Sequence, residues 1–263
     1  MMKSLYTSAT GMQAHQTVVD TTANNLANVD TSGFKRSQVE FQDLLYQTVR
    51  AAGTLGATGF EVPTGIQIGS GVRTSGISKI FTPGVMENTA NNFDMSINGD
   101  GFFQILLPNG NFAYTRDGSF RPNSTGTLVT ADGYVLQPPL TVPNDVESVT
   151  IGNDGTVSVV TAGAPTTSTQ IGNIILSRFV NPGGLSSEGR NLFMQSTASG
   201  APLSGTPGTN GFGSLQQGFL ERSNVQVVTE LIRLITAQRA FEASQRAVLT
   251  SDEMLQTTNG MIR

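Results

Sequence analysis

Five aspartates in the middle of the chain are the main candidates for acid and base chemistry. A glycoside hydrolase needs two carboxylates that face each other across a cleft. The local supply is Asp94, Asp100, Asp117, Asp132 and Asp154. The last four each precede a glycine, a pattern typical of tight turns in which aspartate bonds to nearby backbone. The turn interpretation is favoured, and a wall-cleaving hydrolase that depends on Asp94 stays a minor alternative.

Other reactive groups are scarce. The single histidine, His15, has no second ligand at helical spacing, so neither a zinc site nor a Ser-His-Asp triad is expected. Cysteine is absent, which excludes disulfides and thiolate ligands. Gly99-Asp100-Gly101 lacks the third glycine of a dinucleotide loop, and Asn153-Asp154-Gly155 lacks the final glutamate of a calcium loop. We therefore expect no catalytic residue, no cofactor and no metal, and hence no enzyme.

The composition points to a chain that other protein covers. Only 13% of the 263 residues are charged, against about a quarter in typical globular proteins. Soluble monomers usually stay apart through mixed surface charge. A net charge of −4 with 15 scattered Lys and Arg argues against nucleic acid as a partner. No apolar run approaches the roughly 18 residues of a membrane span, nor does the start carry a signal-peptide core. We expect no direct membrane insertion and no cleavable Sec signal.

Long amphipathic helices are predicted at both ends of the chain. The N-terminal stripe recurs at alternating spacings of four and three and consists of Leu5, Ala9, Met12, Gln16, Val19, Ala23 and Leu26. The C-terminal stripe keeps a seven-residue repeat and consists of Leu220, Val227, Leu234, Phe241, Val248, Leu255 and Ile262. Ser223 and Gln226 have the spacing of a capping box at its start. Periodicity leaves open whether the helices pair within one chain or with neighbouring copies.

The region between the helices is predicted to form short strands joined by hairpin turns. Turn signals containing Asn-Gly or Asp-Gly begin at Asn98, Pro108, Arg116, Ala131 and Gly152, and they favour an antiparallel sheet or barrel. The segment from Arg50 to Ser78 is rich in glycine but carries scattered apolar residues. We expect it to be extended and ordered by packing on another surface.

The predicted fold class is α+β, with a discontinuous N- and C-terminal α-helical coiled-coil domain flanking a mainly β middle domain that carries an extended Gly-rich insert. The expected domains are 1–45 with 215–263 for the helices, 46–80 with 195–214 for the connector and insert, and 81–194 for the β-rich outer domain.

Three separated motifs resemble a known family. A-N-N-L-A-N-V-D-T-S-G-F-K-R at residues 23–36 closely resembles a signature of the bacterial flagellar rod and hook proteins. I-N-G-D-G-F-F at 97–103 and Y-T-R-D-G-S-F at 114–120 look like the opening of that family's β domain. G-F-L-E-R-S-N-V at 218–225 resembles its second signature. Within the family, the length and the stretch from Thr64 to Arg73 are most similar to distal rod members.

The resemblance implies a structural subunit that polymerises into a hollow helical drive shaft, which transmits motor torque to the hook and surrounds the type III export channel. Implied partners are further copies of the chain, proximal rod proteins, the hook protein, outer-membrane and peptidoglycan ring proteins, and the export apparatus. The implied location is the periplasmic rod between the inner and outer membranes. The alternatives are a proximal rod or short hook-type axial protein and, from a different class, a secreted coiled-coil adhesin.

The assembly interface is expected on the terminal helices and at the asparagine-rich end of the first helix. The N-terminal apolar residues should pack on the C-terminal stripe, while the opposite helix faces meet neighbouring subunits. The asparagines should bond to backbones in the next layer, and Gly33 should turn the chain outward. The full candidate set is Leu5, Met12, Val19, Asn24, Asn25, Leu26, Asn28, Gly33, Phe34, Leu220, Val227, Leu234, Phe241, Val248 and Leu255.

Overall fold

The chain passes repeatedly between two units. A computed structural model describes residues 2–53, 63–143, 145–162 and 168–261. The first unit, called the helical unit, comprises Met1–Leu26, Ser37–Ser78 and Gln226–Arg263. The second, called the β unit, comprises Ala27–Arg36 and Lys79–Val225. The prediction of an α+β chain with terminal helices around a mostly β middle is confirmed. The three-part domain boundaries stay a prediction.

In its described residues, the helical unit contains two helices and a ribbon of four strands. Its elements are α1 (Met2–Ala27), β1 (Ser37–Asp43), β2 (Gln47–Arg50), β3 (Ile66–Ile68), β4 (Val72–Lys79) and α2 (Val227–Met261). Strand β1 pairs with β4, and β2 pairs antiparallel with β3. Neither helix has an apolar stretch that could cross a membrane, within the residues described. Part of the predicted insert, residues 54–62, lies outside the described residues, as does Ile262 of the C-terminal stripe.

The ribbon packs closely on α1. The Val72 backbone N–H donates to Thr10 Oγ1 at 3.4 Å. Gly71, with a φ of +112°, approaches Thr10 so closely that a Cβ would collide with its hydroxyl. Glycine is therefore the residue type that fits this contact.

Three facing pairs set the register of the two helices. They are Ser4 with Ser251, Gly11 with Ser244, and Asn25 with Glu230. The start of α1 thus lies beside the end of α2, so the helices are antiparallel. Successive pairs are multiples of seven residues apart on both helices, which keeps one face of each helix toward the other.

The predicted stripe on α1 is only partly right. Its alternate positions Ala9, Gln16 and Ala23 are exposed, and its larger members Leu5, Met12, Val19 and Leu26 are half-buried. The fully buried positions are Ala14, Thr22 and Asn25. Small and short polar side chains occupy the buried face because they let α2 and the ribbon approach closely. The apolar periodicity picks out the large side chains, and these lie at the margin of the contact that α1 makes with α2 and the ribbon.

The predicted start of the C-terminal helix is wrong. Leu220 lies in a strand, β20 (Phe219–Glu221), that pairs antiparallel with residues 86–88. Helix α2 begins six residues after that strand, and its first backbone bond runs from Glu230 N–H to Gln226 O. Ser223 does not cap it, because Ser223 Oγ accepts from the Val225 N–H instead. The heptad repeat continued by coincidence into residues that strand pairing holds extended.

The β unit is built from short antiparallel strands. Its elements before residue 140 are β5 (Met86–Asn88), β6 (Met95–Asn98), β7 (Phe102–Leu106), β8 (Phe112–Thr115), β9 (Arg121–Pro122), β10 (Leu128–Val129) and β11 (Val135–Gln137). Those after residue 140 are β12 (Val146–Ile151), β13 (Thr156–Thr161), β14 (Ser168–Asn173), β15 (Leu176–Arg178), a 3₁₀ turn (Pro182–Gly184), β16 (Ser186–Gly189), β17 (Leu192–Met194), β18 (Leu203–Gly205), β19 (Ser214–Gln217) and β20.

The main sheet has the order β16-β17-β8-β7-β11-β10-β9, with β15 joining β7 to β18. Strands β12, β13 and β14 form a second sheet, while β6 pairs with β19 and β5 with β20. The core lies between them and includes Met95, Ile97, Phe103, Ile105, Phe120, Leu136, Val157, Ile174, Leu176 and Leu215. A smaller aromatic cluster contains Phe102, Tyr114, Phe179 and Phe193.

Three of the five predicted hairpin turns are confirmed. The turns at Pro108, Ala131 and Gly152 join β7 to β8, β10 to β11 and β12 to β13. The turns at Asn98 and Arg116 do not make hairpins, because the strands on either side of each pair with other strands. Both of these turns instead border a buried group of charged side chains.

Candidate functional site

Three charged side chains are buried together in the β unit, and we call them the charged cluster: Lys35, Arg116 and Glu221. Lys35 Nζ donates to Glu221 Oε1 at 2.5 Å and to Thr82 O at 2.8 Å. Arg116 Nη1 donates to Glu221 Oε2 at 3.4 Å. The Gly84 N–H also donates to Glu221 Oε1, at 2.8 Å. The Lys35 and Glu221 side chains are 0% exposed, so this ion pair is shielded from solvent.

The Glu221 carboxylate stabilises the charged forms of both Lys35 and Arg116. Burial lowers the pKa of the Lys35 ammonium; the Glu221 carboxylate opposes this, and Arg116 lowers the pKa further. Burial likewise lowers the pKa of the Arg116 guanidinium, again opposed by Glu221. The two cations thus share the Glu221 carboxylate, and Asp100 also opposes the lowering of the Arg116 pKa. Removing one partner of a buried ion pair leaves an uncompensated charge.

Two backbone carbonyls, one at the end of β6 and one in the turn that follows it, hold Arg116 in place. Its Nη2 donates to Gly99 O at 2.7 Å and its Nη1 to Ile97 O at 3.3 Å. The guanidinium also lies 5.4 Å from the centroid of the Phe102 ring, at a distance typical of a cation–π contact. These contacts explain why the turn at Asn98 folds over a side chain and does not close a hairpin.

Gly33 lies directly against the cluster. Its φ is +69°, and a Cβ there would come within 2.7 Å of Arg116 C and Asp117 N. Its N–H donates to Glu221 O at 2.7 Å. Both the left-handed backbone and the missing side chain are required here, so Gly33 does more than end a helix.

Asn224 joins two further segments of the β unit. Its Oδ1 accepts from the Arg36 N–H at 2.8 Å, and its Nδ2 donates to Ile80 O at 2.8 Å. The amide thereby satisfies backbone groups on both sides, as a neighbouring strand would.

Asn25 makes an equivalent clamp in the helical unit. Its Oδ1 accepts from the Ser37 N–H and its Nδ2 donates to Ser37 O, each at 2.8 Å. The same Nδ2 donates to Glu230 Oε2 at 3.2 Å. Arg233 Nη1 donates to the other oxygen of Glu230 at 3.1 Å. We predict that the asparagines bond to backbones in the next layer; in the single chain, Asn25 bonds to backbone of the same chain, and its side chain is only 1% exposed.

The remaining predicted interface residues lie in varied surroundings. Asn24 is exposed, and Asn28 Oδ1 accepts from Thr31 Oγ1 in a local turn at 3.2 Å. Phe34 is half-buried under the Lys79 ammonium, which lies 5.0 Å from its ring centroid. On α2, Val227 is exposed, while the half-buried positions are Leu234, Phe241, Val248 and Leu255.

An uncovered apolar face runs along the first part of α2. The side chains Val228, Leu231, Ile232 and Ile235 are between 41% and 71% exposed. Their spacing of three and four residues places them on one side of the helix. We call this the outer face of α2. A patch of this kind on a helix is typical of an interaction surface.

The charged cluster has a signal in the sequence that does not depend on periodicity or turn composition. Lys35, Arg116 and Glu221 each lie in one of the three motifs of the resemblance, in a chain where only 13% of residues are charged. Their convergence depends on the topology of the β unit, which no local pattern reveals.

Comparisons with known proteins agree along the chain. The profile described as flagella basal body rod protein matches residues 5–35. The flagellar hook protein FlgE/F/G D1 domain matches residues 96–159, and the flagellar basal body rod FlgEFG protein C-terminal profile matches residues 216–261.

Two FlgG relatives match over almost their whole length, and a hook protein matches over a part of its length. The flagellar basal-body rod protein FlgG of Buchnera aphidicola subsp. Schizaphis graminum is 47% identical over 97% of this chain and 98% of its own. FlgG of Borreliella burgdorferi is 46% identical over 100% of both chains. The flagellar hook protein FlgE of Helicobacter mustelae is 41% identical, but over only 52% of this chain and 30% of its own. The full-length matches therefore favour a rod protein over a hook protein, and the chain belongs to the FlgG family of flagellar basal-body rod proteins.

Proposed function

We propose that this chain is a structural subunit of the flagellar distal rod that polymerises into a hollow helical shaft and transmits motor torque to the hook. The observation that carries the proposal is the uncovered outer face of α2 in a chain that matches FlgG proteins from end to end. The relatives are named as rod proteins and not as enzymes, which supports a structural role.

The outer face of α2 supplies a driving force for assembly. Burying a large apolar side chain contributes about 1.5–3 kcal/mol, and four of them lie on this face. Association must also offset the loss of translational and rotational freedom, so several faces have to be buried together. A torsionally stiff shaft has the same requirement, because twisting then strains many interfaces at once.

The antiparallel helices fit an inner layer of such a shaft. We propose that α1 and α2 form a coiled-coil layer around the export channel, and that the half-buried apolar residues at the margin of their contact meet adjacent copies. The exposed positions of the helices carry both positive and negative charges in nearly equal number, so layers can stack without accumulating like charge.

The ribbon offers a second assembly surface. Its exposed apolar side chains are Phe41, Leu45, Tyr46, Val49, Ile66, Ile68 and Ile77. We propose that this ribbon lies along a neighbouring subunit and prevents axial sliding.

The proposed partners are further copies of the chain, proximal rod proteins and the hook protein. Surrounding outer-membrane and peptidoglycan ring proteins and the flagellar export apparatus complete the set. The proposed location is the periplasmic part of the rod, reached through type III export without a cleavable Sec signal.

A charge on the outer face of α2 tests the proposal. In a strain that lacks its own distal rod protein, Ile232→Glu is expected to abolish rods and swimming, because assembly would bury an unpaired carboxylate. Ile232→Val, which keeps the position apolar, is the matched control and should swim. Circular dichroism of the purified variants checks that helix content is unchanged. Straight rods and normal swimming with Ile232→Glu would contradict the proposal.

A further inference from the structure

We propose that the charged cluster is a folding latch, through which the β unit closes only when an early segment, residues 27–36, and a late segment, residues 218–225, have both docked. Lys35 belongs to the early segment and Glu221 to the late one, and they are 186 residues apart in sequence. Arg116 lies between them in sequence, directly after strand β8.

Glu221 is the point at which these segments meet. Its carboxylate accepts from Lys35 Nζ, Arg116 Nη1 and the Gly84 N–H, and its backbone oxygen accepts from the Gly33 N–H. All four donors belong to the β unit. One residue near the end of the chain thus completes contacts with three earlier parts of it.

Without Glu221, the closed β unit would contain two buried cations. Lys35 would have no carboxylate among the contacts just described, and Arg116 would keep only the electrostatic influence of Asp100. Breaking a buried ion pair by removing one partner is strongly destabilising, because the remaining charge stays desolvated. The open unit leaves both cations in water. Before the late segment docks, electrostatics therefore favour the open form.

Contacts around the cluster also join the early segment to the late segment. The Arg36 N–H donates to Asn224 Oδ1, so the early and late segments also meet beside the ion pair. Gly33 fits against the Arg116 backbone only without a side chain. Closure therefore places the early segment against the late segment in one alignment. The ion pair between Lys35 and Glu221 fixes that alignment.

One consequence rests on the proposed function. If the chain is exported unfolded, a β unit that needs residue 221 stays open while most of the chain is still in transit. The latch would then delay folding until delivery is nearly complete.

Hydrogen exchange of the purified full-length chain tests the latch, with exchange of the β7 and β8 amides as the readout. Glu221→Gln is expected to raise their exchange rates by at least about 100-fold, the scale for breaking a buried pair. Lys35→Met should have a smaller effect, because Glu221 keeps Arg116. The double variant should exchange at least about tenfold more slowly than Glu221→Gln alone, because the stranded ammonium is gone.

The control is an exposed ion pair between the same two segments. Arg222 Nη2 lies 2.6 Å from Asp30 Oδ1, with side chains 47% and 81% exposed, and Asp30→Asn should leave exchange nearly unchanged. If Glu221→Gln gives no protected β unit, recovery of protection by adding Lys35→Met supports the latch. Additive effects, or Glu221→Gln behaving like Asp30→Asn, would overturn it. Because exchange is measured on unassembled chain, a failure of the latch is distinct from a failure of rod assembly in cells.

Discussion

Replacing Asn25 by alanine should destabilise the helical unit measurably. The change removes two hydrogen bonds to the Ser37 backbone and one to the Glu230 carboxylate. Neutral bonds are worth about 1 kcal/mol each and a bond to a charged group about 1.5–3 kcal/mol. Ser37 is half-buried, so water replaces part of the loss and the lower end of the summed range, about 3.5 kcal/mol, applies. Alanine returns roughly 0.5 kcal/mol through its higher helix propensity, which leaves a net loss of about 3 kcal/mol.

The isosteric change Asn25→Asp should be worse than alanine at neutral pH. It removes the donor and places a second carboxylate at hydrogen-bond distance from Glu230. Repulsion raises the pKa of the new carboxyl in the folded protein above its value of about 3.9 in the unfolded chain. Between the pKa of the unfolded chain and the raised pKa, the folded state binds more protons than the unfolded state. The stability of the variant relative to the wild-type chain therefore increases as pH falls through the raised pKa.

Urea unfolding of the purified chain, followed by far-ultraviolet circular dichroism, measures both effects, because α1 and α2 dominate that signal. Gln16→Ala is the control: it changes an exposed residue of the same helix and should stay within about 0.5 kcal/mol of the wild-type chain. An Asn25→Ala variant as stable as the control would refute the view that Asn25 clamps the chain at Ser37.

Three further predictions concern other parts of the chain. Gly33→Ala should destabilise the β unit by at least about 1–3 kcal/mol, because a Cβ would lie 2.7 Å from Arg116 C; normal hydrogen-exchange protection would contradict this. Burial lowers the pKa of Lys35 in the folded protein below its usual 10.5. Between the folded pKa and 10.5 the unfolded chain binds more protons, so the free energy of unfolding should rise with pH in that range. Lys35→Met should remove that rise in pH-dependent urea unfolding, and an unchanged slope would count against the assignment. Deleting Ala51 to Gly65 should give rods that bend, and straight rods under electron microscopy would speak against a locking role for the insert.

Local patterns predicted elements well where local physics decides the structure. The turns at Pro108, Ala131 and Gly152 are hairpins because Asn or Asp with Gly satisfies a tight turn without help from distant residues. The two terminal helices are present because long amphipathic repeats without proline favour them.

Local patterns failed where tertiary contacts decide the structure. The turns at Asn98 and Arg116 have hairpin composition, yet the strands on either side of each pair with other strands. At the Asn98 turn, the Arg116 guanidinium bonds to the Ile97 and Gly99 carbonyls. Leu220 fits the heptad but lies in β20, where strand pairing holds it extended. Asn25 looked like an interface residue because its partner, Ser37, lies twelve residues further along the chain.

The predicted apolar stripe of α1 differs from the face that the chain buries, and the reason is related. Periodicity reports where large apolar residues lie, whereas a single chain buries the small face of Ala14 and Thr22. In a chain that polymerises, the large residues can serve contacts with other copies, so the stripe and the intramolecular contact need not coincide.

The most direct test of the central claim is cryo-electron microscopy of the intact flagellar basal body with this chain in place. The account predicts density for the chain in the distal rod, with Val228, Ile232 and Ile235 of the outer face of α2 buried against neighbouring copies. Density that places the chain outside the rod, or an outer face of α2 that remains in contact with solvent in the assembled shaft, would contradict it.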